Sequence, residues 1–157
     1  MAIRSKHVDS FVNSTLTSKE HPLQWPEGLR QPKKIVRVFY GMPLIGPDIR
    51  AYRRFRRQVA HRSPECLREW DDQNVGQACR NAIFDVLVED MEWPKPLFLP
   101  SDPCSILFYD PTIDVKLGVA LSKVESMVGR TINSAELGQM LLGDLVKMAD
   151  QQSVKGS

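Results

Sequence analysis

The residues that most enzyme chemistry needs are scarce in this chain. It has three histidines (His7, His21, His61) and three cysteines (Cys66, Cys79, Cys104) in 157 residues. No Cys-x-x-Cys pair occurs, and no histidine stands at zinc-ligand spacing from a cysteine, which argues against a structural metal and a redox dithiol. An odd number of scattered thiols builds no disulfide framework and fits a reducing compartment, so a cytoplasmic chain with idle thiols is expected. There is no Gly-rich phosphate loop. No apolar run approaches the roughly 18 residues that span a bilayer. Met1 to Asp9 lacks the apolar stretch of a secretory signal, so neither a signal nor a transmembrane segment is expected. The adjacent acids Asp71-Asp72 and Glu89-Asp90 point to different sides of a helix and make no site by themselves. Asp102 and Asp110 flank an apolar link, where capping of turns accounts for them better than cation binding. These absences lead to the expectation of no enzyme, no metal and no cofactor.

What is present is an ordinary apolar fraction, 42%, and a segregated charge. Residues 28–69 hold eleven Lys/Arg against three Asp/Glu, whereas residues 70–157 hold seven against thirteen. A basic middle and an acidic C-terminal half either pack on each other or meet different partners.

Residues 1–33 are polar and broken by prolines. They read as a flexible N-terminal segment, or as a short amphipathic helix through Val8, Phe11, Val12 and Leu16. Lys34 to Tyr40 is β-branched and aromatic, and so reads as a short strand or an extended segment, with homodimerisation by edge pairing as one use for it. Asp48 is placed to cap a helix from about Ile49 to His61. Its apolar face is Ile49, Tyr52, Phe55 and Val59; its other residues include Arg50, Arg53, Arg54, Arg56 and Arg57. Such a face binds an acidic protein surface, pairs with the chain's own acidic half, or, least favoured because no base-reading motif accompanies it, binds nucleic acid or acidic lipid. Ser63 and Pro64 open a short helix ending near Trp70, a packing residue.

Asn74 is expected to cap a helix from Val75 to about Glu92, with an apolar stripe through Cys79, Ile83, Val86, Leu87 and Met91. Trp93-Pro94 ends it. Lys95 to Pro111 carries four prolines and seven large apolar residues, so it is expected to run buried across a helical bundle. Asp114 is placed to cap a helix from Val115 to Val128, and Gly129 to close it in the left-handed region. Asn133 and Glu136 have capping-box spacing. Ala135 to Asp150 is apolar and periodic, with Gly143 the expected break between a third and a fourth helix. Gln151 to Ser157 is expected to fray.

Three features now stand in sequence. A helix is followed by an apolar loop carrying Pro100-Ser101-Asp102. A helix ends in Val128-Gly129 with Ile132 after it. The chain closes with Leu142-Gly143-Asp144-Leu145-Val146-Lys147-Met148. In this order they resemble the acyl carrier protein family over about Val75 to Gln151. The resemblance implies a four-helix bundle, an acidic second helix that partner enzymes recognise, and a serine at the start of that helix bearing 4′-phosphopantetheine. Counting back from Gly129, the serine position falls on Asp114; a two-residue slip places it on Thr112. Neither is serine. Ser105 and Ser122 do not fit the family geometry, and Lys116 and Lys123 offset the acids of the second helix.

The expected architecture is therefore mainly α: a polar segment (1–33), a basic Arg-rich extension (34–70), an acyl-carrier-like four-helix bundle (71–151) and a tail (152–157). The expected function is non-catalytic protein interaction on a carrier-like fold without its prosthetic group. The alternatives are a divergent acyl or peptidyl carrier and an anion-binding module using the arginine helix.

Overall fold

A computed structural model describes residues 20–26, 47–109 and 114–156. The expected Val8–Leu16 helix, the Lys34–Tyr40 strand and Thr112 lie outside these residues. The described residues are mainly helical and contain no strand, only an isolated antiparallel bridge between Pro103 and Leu141. No helix among them is long and apolar enough to cross a membrane.

The first helix, α1 (Pro47–His61), buries Ile49, Ala51, Phe55 and Val59 along one stripe. It stops before Ser63-Pro64, where the proline ring disfavours helical backbone in the residue before it. Ser63 then caps a 3-10 helix (Pro64–Gln73): its Oγ accepts the Glu65 N–H at 3.3 Å. This helix runs past Trp70 to Asn74, which closes it in the left-handed region (φ 52°, ψ 47°). Asn74 is therefore not the N-cap of the following helix. Asparagine tolerates the left-handed region because its short polar side chain bonds locally.

The next helix, α2 (Gln77–Glu89), starts behind Gly76, whose N–H donates to Asp150 Oδ1 at 3.1 Å. A Cβ at position 76 would stand 2.6 Å from that oxygen, so a larger residue there would push the Asp150 carboxylate aside. Ile83, Phe84, Val86 and Leu87 are its buried face. It ends at Glu89, three residues short of the expected Glu92. Glu92 is left-handed (φ 57°), and this turns the chain so that the Trp93 N–H reaches Leu87 C=O at 3.1 Å.

The proline-rich link is buried, as its composition demanded. Leu97, Phe98, Leu99, Ile106, Leu107, Phe108 and Tyr109 all lie inside. Buried backbone must find partners. Part of the link coils into a single short helix, α3 (Cys104–Leu107), and Pro100, Asp102 and Cys104 bond to residues 140–143. Cys104 N–H meets Met140 C=O at 2.9 Å, Leu142 N–H meets Asp102 C=O at 2.9 Å, and Gly143 N–H meets Pro100 C=O at 2.8 Å.

Helix α4 (Asp114–Val128) buries Ala120, Val124 and Val128, and Gly129 closes it at φ +75°. Asn133 caps α5 (Ser134–Gln139) through its Oδ1, which accepts the Glu136 N–H at 2.8 Å. The break before α6 (Leu142–Lys155) falls at Met140 and Leu141, not at Gly143. Gly143 is inside α6, where the lack of a Cβ admits Pro100: a Cβ there would sit 3.1 Å from both the Pro100 Cβ and its carbonyl oxygen. Helix α6 also continues through residues 151–155, which were expected to fray.

Helix α6 packs against α2 and α4, which also touch each other, while α3 packs on α5. One apolar cluster runs from Leu23 through α1, the 3-10 helix and the link to α6. The described part of the N-terminal segment is thus docked: Leu23 is 1% exposed and reaches the core from outside any helix.

Candidate functional site

The arginines of α1 divide by helical position. Arg50, Arg53, Arg54 and Arg57 follow i, i+3, i+4, i+7 spacing, which places them on one face, and all four are exposed. Among the described residues, none of them forms an ion pair with a carboxylate. The acidic half of the chain, as described, does not neutralise them. Arg56 is different. It is half-buried, donates to Tyr52 Oη and to Met91 C=O (3.3 Å), and holds its guanidinium 5.1 Å from the Tyr52 ring centre and 5.9 Å from that of Trp93. Arg56 therefore leaves the expected five-residue basic face: it fastens α1 to the turn after α2, because its position points it toward the aromatic seam. The His61 ring Nδ1 lies 2.7 Å from Arg57 C=O.

The carrier-like positions come out as follows. Asp114 is the first residue of α4, and Thr112 lies outside the described residues. Ser122 is exposed on α4, and Ser105 is half-buried within α3. The lysines of α4 are engaged: Lys116 Nζ lies 2.5 Å from Glu92 Oε1, and Lys123 Nζ 2.8 Å from Asp90 Oδ2. They fasten α4 to the turn that leaves α2.

A cleft of about 770 Å³ opens beside the 3-10 helix. Glu20, Glu65, Glu69, Asp72 and Asp144 line it, against one cation, Arg68. None of the exposed arginines of α1 borders it. The charge segregation of the sequence therefore survives as two separate surfaces. The described residues hold no cluster of three or more His, Cys, Asp or Glu able to bind a metal. Burial raises the thiol pKa of Cys66, Cys79 and Cys104 above the ordinary range, so all three stay protonated at neutral pH.

A buried, multiply bonded ion pair was not read from the sequence. Arg62, one residue beyond α1, is 3% exposed; Asp102, in the link, is fully buried. They pair through two contacts, Nη1 to Oδ2 at 2.5 Å and Nη2 to Oδ1 at 2.7 Å. Asp102 Oδ1 also accepts the Leu23 N–H (2.9 Å), and Oδ2 accepts the Leu99 N–H (2.8 Å). Arg62 further donates to Leu97 C=O and His21 C=O, each at 3.0 Å. Only its Nε lacks a partner. A buried charge is tolerated when it is paired and its remaining hydrogen-bonding capacity is filled, and this pair nearly meets that condition. It joins the end of α1, the link and the 20–26 segment, and the Asp102 carbonyl continues the connection to α6. The bond to Leu99 is the expected turn-capping role of Asp102; the pairing with Arg62 adds to it. The sequence signal was an ionisable residue inside an apolar link, which requires a partner, but nothing local identifies that partner 40 residues away.

Comparison of the chain with family models, curated proteins and solved structures finds no match.

Proposed function

We propose that this chain is a non-catalytic protein-interaction domain that docks on an acidic protein surface through Arg50, Arg53, Arg54 and Arg57. The observation that carries this reading is the exposure of all four on one face of α1 without a carboxylate partner among the described residues. Four exposed cations on one helix face form a rim able to steer and register a partner of opposite charge. The scaffold is proposed to be carrier-like. In support, a long helix (α2), a buried loop, a long helix (α4), a short helix (α5) and a long helix (α6) follow one another in the order the resemblance implies. The resemblance puts Asp114, or by a two-residue slip Thr112, where a carrier has serine, and on this proposal the scaffold serves binding and not acyl transfer.

The test is a direct binding assay of the full chain on immobilised polyglutamate, with duplex DNA and acidic vesicles as competing surfaces. The expected result is binding to polyglutamate that weakens with salt and is lost when the four arginines become alanine. Tighter binding to DNA, with affinity falling steeply with salt, would replace this reading with the nucleic-acid one. Binding to none of the three surfaces would contradict both.

A further inference from the structure

Residues 20–26 read Glu-His-Pro-Leu-Gln-Trp-Pro and belong to no helix. Among the described residues they make no backbone-to-backbone hydrogen bond. Their backbone is held by side chains instead. His21 C=O accepts from Arg62 Nη2 (3.0 Å) and Gln58 Nε2 (3.1 Å), and two residues on, Leu23 N–H donates to Asp102 Oδ1 (2.9 Å). One buried ion pair thus takes an acceptor and a donor of the same short stretch. Two apolar anchors follow two residues apart, Leu23 and Trp25. Leu23 is sunk in the core. Trp25 meets Phe55 and Tyr109 edge-to-face, with ring centres 5.4 and 5.2 Å away. Pro22 and Pro26 bracket the anchors and reduce the entropy lost on docking.

These are the features by which a groove reads an extended peptide: backbone polar groups captured by fixed side chains, and alternate side chains in pockets. We propose that the groove between α1 and residues 97–109 is a peptide-binding site. Residues 20–26 fill it within one chain, and the same residues of a second copy fill it by exchange. The occupant is a second copy because this sequence is the one the groove is seen to hold. The covalent connection also permits it. Twenty residues (27–46) separate the segment from α1, and that length reaches up to roughly 70 Å when extended. This exceeds the diameter of a domain of this size, about 40 Å by the usual scaling of radius with length. A swapped element of this kind makes the same contacts in the dimer as in the monomer, so its exchange is limited by opening and by concentration. The site is distinct from the exposed arginine face, none of whose four arginines hydrogen-bonds to the segment.

The test uses the full chain with Leu23→Ala and Trp25→Ala together, and a labelled synthetic peptide of residues 20–26. If the double variant folds, it should bind the peptide saturably and at least tenfold more tightly than the wild type, whose groove holds a tethered competitor. A peptide carrying Ala at 23 and 25 should not bind. A folded variant that ignores the native peptide would overturn the proposal. If the double variant does not fold, amide exchange in the wild type decides. The Leu23 N–H should exchange at least tenfold faster than the Leu99 N–H, which meets the same carboxylate; equal protection would make the segment inseparable from the core and overturn the proposal. For the second copy, wild-type chain refolded at high concentration should give dimers by sedimentation, and refolding with excess peptide should suppress them. Refolding to monomer alone, or dimers indifferent to the peptide, would overturn the exchange.

Discussion

Arg57 and Arg62 stand five residues apart and have opposite fates. Arg57, with Arg50, Arg53 and Arg54, projects from α1 into solvent and touches no carboxylate among the described residues. Arg62 lies beyond the last turn, is 3% exposed and holds three segments through four hydrogen bonds, two to Asp102 and two to backbone carbonyls. The residue type is the same and the two stand on the same stretch of chain. What separates them is the partner. Asp102 arrives on a link that its own apolar residues force into the core, and only a guanidinium with a planar donor fork answers it there with two contacts. An arginine-rich stretch is therefore not one functional unit. Part of it is buried structure, and part is exposed without a carboxylate partner among the described residues.

The contrast is broken most forcefully at Asp102. Asp102→Ala leaves the Arg62 charge buried without a counter-charge and strips an acceptor from the Leu23 and Leu99 amides. Removing one partner of a buried pair costs about 3–5 kcal/mol, and urea denaturation should show a loss of that order. Replacing both Arg62 and Asp102 by apolar residues of similar volume should cost less than either single change, which a double-mutant cycle would show.

Next in size is Gly143→Ala. The added Cβ meets the Pro100 Cβ and carbonyl oxygen at 3.1 Å, and backbone on one side does not yield easily. Overpacking of this kind costs about 1–3 kcal/mol, measurable as a lower Tm with the helical signal retained. Asn133→Ala removes the acceptor for Glu136 N–H and should cost about 1 kcal/mol, again without change of fold.

The smallest effect concerns pH. The exposed Arg130 guanidinium hydrogen-bonds to Glu136 and holds its carboxyl below the usual range. A lowered carboxyl pKa means that the pairing contributes above the unfolded-state pKa and is lost as pH falls through the folded-state value. NMR titration should therefore place the Glu136 midpoint below that of an ordinary glutamate, and Arg130→Gln should raise it.

What the sequence revealed, and what it did not, follows the range of each interaction. The caps at Ser63 and Asn133, the left-handed Gly129 and the burial of the proline-rich link were legible because each is decided by a few neighbouring residues or by composition. The start of α2 was not: Gly76 opens it through an acceptor on α6, while Asn74 is drawn into closing the preceding helix. The split before α6 falls two to three residues before the expected one, because the glycine at 143 serves a contact with Pro100 and not a break. Arg56 and Arg62 were hidden among their neighbours for the same reason: their partners, Trp93 and Asp102, are distant in sequence. The polar side of α1 was legible, since helical periodicity sorts it from the apolar stripe, but the departure of Arg56 from that side was not, and pairing with the chain's own acidic half had stayed open.

The division between structural and available arginines is tested most directly by thermal unfolding of the full chain with Arg50, Arg53, Arg54 and Arg57 all changed to alanine, beside Asp102→Ala. Exposed substitutions away from specific contacts stay within about 0.5 kcal/mol each, so the quadruple variant should melt within a few degrees of the wild type while Asp102→Ala falls by roughly 10 °C. A quadruple variant that loses as much as Asp102→Ala would contradict the account, because it would place those arginines among the interactions that hold the fold.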